Sequence, residues 1–139
     1  MAANAHHVVI HSNSPGEVIS FLQEAVGLSV LHELDIASGM LEQTMGWPPN
    51  EGTRICTLGA GDSGLVEVVG IPPSLRDVVP DGLAVLSFLT EDLDSTLERA
   101  DRWTRGRVTR FDTGVPGLNA ALCTVDAVRI EFMQRHAAN

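Results

Sequence analysis

At 139 residues, with 44% hydrophobic residues, the chain has the size and composition of one folded domain with a single adequate core. Its formal net charge of −9, 18 acidic residues against 9 basic, argues against nucleic acid and anionic membrane surfaces, which require clustered positive charge. No apolar run approaches the roughly 20 residues of a membrane span, and the first residues lack the basic and apolar regions of a secretion signal. A cytoplasmic location is therefore expected.

In chain order, residues 6–11 form a short β-rich run. A helix should follow, with Ser14 as N-cap, Pro15 in the first turn, an apolar face of Val18, Phe21, Leu22 and Ala25, and Gly27 as its stop. Residues 28–36 read as a second strand. Residues 37–52 break the strand pattern and read as a loop containing a helical turn. Strands are expected at 53–58 and 64–69, joined by a glycine-rich turn that cannot be a phosphate cradle, because no Gly-Lys-Ser/Thr follows.

Residues 71–81, rich in proline, form the linker. The pattern then repeats: a strand at 82–89, a helix at 93–103 capped by Asp92, and strands at 108–111, 120–125 and 129–133. Two βαβββ modules result, module one about 5–72 and module two about 82–136, paired within a single α+β domain spanning residues 1–139. Neither could cover its own sheet, so they should share a buried face. Cys56 and Cys123 sit in apolar runs and belong to no C-x-x-C pair, which leaves zinc-ribbon and thioredoxin chemistry without support.

Four segments carry a family resemblance. His7-Val-Val-Ile-His11 with the helix residue Phe21, Gly64-Leu-Val-Glu-Val-Val69, the strand and helix start over 82–94, and Asp126-Ala-Val-Arg-Ile-Glu-Phe132 stand in the order of the vicinal-oxygen-chelate (glyoxalase/bleomycin-resistance/dioxygenase) superfamily. The chain resembles that family over nearly its whole length. The resemblance implies a cupped mixed sheet whose concave face binds one divalent metal, with ligands at His7, Glu67 and Glu131. The fourth ligand position falls on Val85, which cannot coordinate. Three ligands plus water suit Zn, Ni, Mn, Co or Fe without choosing among them.

On that reading Glu67 and Glu131 double as catalytic groups, and His11, about 6.6 Å along the same strand face as His7, is a further candidate base or ligand. His6 points the other way, toward solvent. A carboxylate between two apolar neighbours, as at Glu67 and Glu131, either has a task or faces water. Met40, Met45 and Trp47 form an apolar cluster that either overhangs the cavity or plugs the core; with Val85 and Cys56 they complete the expected substrate-binding set. The Arg102, Arg105, Arg107 and Arg110 group reads as a solvated helix end.

The implied function is a metal-assisted isomerase, epimerase or lyase acting on a small carbonyl compound, rather than glyoxalase I or a dioxygenase. The alternative is a metal-free ligand-binding protein of the antibiotic-sequestering type. The resemblance also implies a homodimer.

Overall fold

The computed structural model describes residues 3–136. Eight strands and three α-helices follow one another as β1 (Asn4–Ser12), α1 (Pro15–Phe21), β2 (Ser29–Ile36), α2 (Ser38–Met45), β3 (Thr53–Gly59), β4 (Leu65–Gly70), β5 (Gly82–Leu89), α3 (Leu93–Thr104), β6 (Val108–Asp112), β7 (Leu118–Val125) and β8 (Val128–Arg135). The fold is α+β, and a βαβββ order occurs twice, with α2 inserted between β2 and β3 in the first occurrence. Backbone contacts separate two compact units, residues 7–84 and residues 85–136, with the start of β1 up to His6 belonging to the second.

In the first unit the strand order is β2-β3-β4-β1, with β1 and β4 parallel and the other pairs antiparallel. The second unit repeats it as β5-β8-β7-β6, with β5 and β8 parallel. In each unit the parallel pair brings the first strand beside the last. That is the arrangement a helical crossover permits and a tight hairpin does not.

Helices α1 and α3 each cover one face of the strands in their own unit. Under α1 lie Leu22, Cys56, Leu58 and Val68, with Val18, Ile19, Leu28 and Val66 packed around them. Under α3 lie Leu93, Leu97, Ala121 and Cys123, flanked by Val108 and Phe132. Side chains alternate between faces along a strand, so the residues between these core positions point away from the helices.

Local chemistry explains the helix ends. Pro15 occupies the first turn of α1 after Ser14, whose side chain makes no capping bond. The chain then continues as a π-helical turn, Leu22–Val26, and stops at Gly27 with φ 84°. At α3 the Asp92 carboxylate accepts from the Ser95 backbone N–H at 3.1 Å and from its hydroxyl at 2.9 Å, the expected cap.

One segment departs from the sequence reading. Residues 38–45 form a helix of eight residues where a loop with one turn was expected. The Ser38 hydroxyl donates to Glu42 one turn later, and Gly46 ends the helix with φ 68°. Its low apolar periodicity and the early Gly39 hide it from pattern reading. The proline-rich segment after β4 is packed locally. Pro73–Leu75 makes a 3-10 turn, Leu75 and Val79 are buried, and the Glu51 carboxylate accepts from the Ser74 backbone and hydroxyl.

Candidate functional site

The strand register sorts the expected site residues by face. In the first unit Val9 of β1 and Thr57 of β3 flank Glu67 of β4, while Cys56 pairs with Val68. Val68 and Cys56 belong to the core under α1, so Glu67, Val9, His7 and His11 share the opposite face. This corrects the reading of Cys56 as a substrate-lining residue. It is 1% exposed on the helix side, and burial pushes its thiol above the usual range, reinforced by the nearby Glu33 charge.

His7 and Glu67 meet. The imidazole Nε2 lies 3.5 Å from Glu67 Oε2, with side-chain exposures of 8% and 21%. They stand one step diagonally apart in the parallel ladder, His7 opposite Leu65 and Glu67 opposite Val9, and a long side chain can span that offset. His11 is buried, and its ring meets Trp47 edge-on at a centroid distance of 4.9 Å. Trp47 itself is 8% exposed, with Leu41 fully buried nearby in sequence. Met40 and Met45, at either end of that segment, are partly buried.

In the second unit Ser87 of β5 and Leu122 of β7 flank Glu131 of β8. Their neighbours Phe132, Ala121 and Cys123 lie under α3, so Glu131, Ser87 and Val85 point away from that helix. The Ser87 hydroxyl donates to Glu131 Oε1 at 2.7 Å. Burial holds the Glu131 carboxyl above the ordinary carboxylate range, the serine hydrogen bond opposing that rise only in part. Ser87 is 2% exposed and Val85 4%.

The register also aligns the repeats. Val9 stands beside Glu67 as Ser87 stands beside Glu131, which places Val85 at the counterpart of His7. The two glutamates therefore occupy matching positions with different company: an imidazole for Glu67, a hydroxyl for Glu131. Ser87 escaped the sequence reading. Its signal was a single hydroxyl in the apolar run 83–89, in phase with Val85 and hence on the face that Val85 shares.

His6 also departs from expectation. It is 8% exposed rather than solvated, and its ring lies 3.5 Å from the Arg135 guanidinium. Burial first, and the Arg135 charge second, lower its pKa and favour the neutral ring.

No protein-family model matches the chain, and no curated protein sequence matches it. Solved structures do. The chain is similar to a hypothetical protein from Bacillus halodurans C-125, at 15% identity over 100% of this chain and 99% of that one, with a TM-score of 0.68. Methylmalonyl-CoA epimerase from Mycobacterium tuberculosis aligns at 17% identity over 96% and 89%, with a TM-score of 0.66. A glyoxalase/bleomycin resistance protein/dioxygenase superfamily member from Vibrio splendidus 12B01 aligns at 12% identity over 96% and 99%, with a TM-score of 0.60. The chain has the vicinal-oxygen-chelate fold.

Proteins of the vicinal-oxygen-chelate fold commonly use a divalent metal. Among the described residues no group of three or more His, Cys, Asp or Glu side chains is placed to hold a metal ion. Of the expected donors, His7 and Glu67 come together in one unit, Glu131 engages Ser87 in the other, and Val85 offers no donor. No helix among the described residues is long and apolar enough to cross a membrane.

Proposed function

We propose that the chain is a small-molecule enzyme that moves a proton on a carbonyl compound, an isomerase or epimerase, with Glu131 as the transferring group. One observation carries this reading. Glu131 sits part-buried on the helix-free face of the second unit, its carboxyl raised by desolvation and steadied by a buried hydroxyl. A carboxyl moved toward neutrality can take a proton and return it at ordinary pH, which one fixed deep in the acid range does poorly.

The chemistry requires two half-steps. As carboxylate, Glu131 removes the proton from the carbon α to a carbonyl, and the electron pair passes to the carbonyl oxygen as an enolate. As carboxylic acid it returns a proton to that carbon. Return to the opposite face, once the planar enolate has turned over in the site, gives the epimer, and return to a different carbon gives the isomer. Similarity in fold to methylmalonyl-CoA epimerase supports a substrate with an acidic α-carbon. The metal-assisted form of the reaction, and a lyase using the same proton removal, rest on the fold alone.

Incubation in D₂O with methylmalonyl-CoA and a small set of α-substituted acyl thioesters and keto acids tests the proposal, before and after dialysis against EDTA. Deuterium should enter the α-carbon of at least one compound, and Glu131→Gln should abolish that exchange. Undiminished exchange in the Gln variant would remove Glu131 from the mechanism. Absence of exchange across the set would leave the second reading, a ligand-binding protein, which is favoured by apolar Val85 at the repeat position of His7. Thermal-shift screening with planar natural products would then report binding without turnover.

A further inference from the structure

We infer that Ser87 is a positioning residue, held in the second unit to fix the Glu131 carboxylate in one orientation; the inference rests on the acid–base role proposed for Glu131. The repeat supplies the argument. At the matching place in the first unit stands Val9, 3% exposed, beside Glu67. An apolar residue therefore satisfies the packing at this place in the fold, and the second unit departs from it with a serine that is 2% exposed.

A buried hydroxyl is unfavourable unless it is hydrogen-bonded. Here it donates to Glu131 Oε1 at 2.7 Å, a distance suited to a strong bond to a carboxylate. Of the two ladder neighbours of Glu131, Ser87 and Leu122, only the serine has a polar side chain. The bond also lies across a directly registered pair, Ser87 opposite Glu131, so both Cα positions are fixed by the sheet. Glu67 differs again, meeting His7 diagonally with a valine directly beside it. Anchoring one carboxylate oxygen on Ser87 restricts the rotamers open to the Glu131 side chain and limits the rotational averaging a flexible glutamate would otherwise bring to each encounter.

Two variants and two readouts test this. Ser87→Ala removes the donor, and Ser87→Cys keeps nearly the same shape with only a weak donor. In the wild-type protein the two γ-methylene protons of Glu131, identified by their loss in Glu131→Ala, should give separate NMR signals, as a side chain held in one rotamer favours. In both Ser87 variants they should converge. With an α-carbon exchange substrate, kcat should fall on the order of 10- to 100-fold in both variants while KM stays within about twofold, because a misplaced general base affects the chemical step and not binding. Wild-type γ-methylene separation in Ser87→Ala or Ser87→Cys would overturn the inference, as would unchanged kcat. If Glu131→Gln leaves turnover intact, the acid–base role falls, and the NMR comparison still decides whether Ser87 orients the side chain.

Discussion

Replacing Glu131 by glutamine should make the protein more stable at neutral pH and flatten its stability profile toward acid. The introduced amide keeps the oxygen that accepts from Ser87, so the 2.7 Å hydrogen bond survives in neutral form. The change lowers that bond from the ~1.5–3 kcal/mol of a charge-assisted contact to about 1 kcal/mol. Against that loss stands relief of the desolvation that raises the Glu131 carboxyl, an effect that amounts to several kcal/mol for a withdrawn ion. The net gain is on the order of 1–3 kcal/mol, or roughly 3–15 °C in Tm for a chain of this size. The sign follows from proton binding. Because the native carboxyl is raised, between the unfolded and native values the native chain holds a proton that the unfolded chain has lost. Wild-type stability therefore declines as pH rises through that interval and levels off above it, and the Gln variant should lack that decline. Chemical denaturation from pH 4 to pH 8 for both proteins measures the difference. A lower unfolding free energy for the variant at pH 7, together with parallel pH profiles, would refute the claim that desolvation dominates at Glu131.

Three further outcomes follow from the packing. Leu58→Ala opens a cavity at a fully buried position among Leu22, Cys56 and Val68, and should cost about 3–5 kcal/mol by urea denaturation. Gly52→Ala should cost about 2 kcal/mol or more. Gly52 has φ 80°, and an added Cβ would come 2.7 Å from the Ile36 carbonyl oxygen, a backbone atom that cannot step aside. Cys56 and Cys123 are buried with their thiols raised by desolvation, so the native protein should consume no alkylating reagent at pH 7 and two equivalents in denaturant. Rapid native labelling of either cysteine would contradict the assignment of both to the helix-facing cores.

The βαβββ order and its repetition were legible in the residues themselves, because they rest on local signals. Apolar periodicity changes between two and about 3.6 residues, Pro15 and Asp92 mark helix starts, and Gly27 marks a stop. So was the presence of polar side chains where strands should be apolar: Glu67 between two valines, Glu131 between Ile130 and Phe132. The helix at 38–45 was not legible, since its weak amphipathicity leaves tertiary packing to decide it.

Alternation places residues on one of two faces but does not say which face the helix covers, and that ambiguity explains the misreading of Cys56. Nor does alternation supply register between strands far apart in the chain. Pairing His7 with Glu67 spans 60 positions, and pairing Ser87 with Glu131 spans 44. Those distances close only when β1 meets β4 and β5 meets β8 in parallel. The residue types alone determined that two acids lie within apolar strands. Only the tertiary structure decided that one acid keeps company with an imidazole and the other with a buried hydroxyl, because burial and neighbours are properties of the assembled strands.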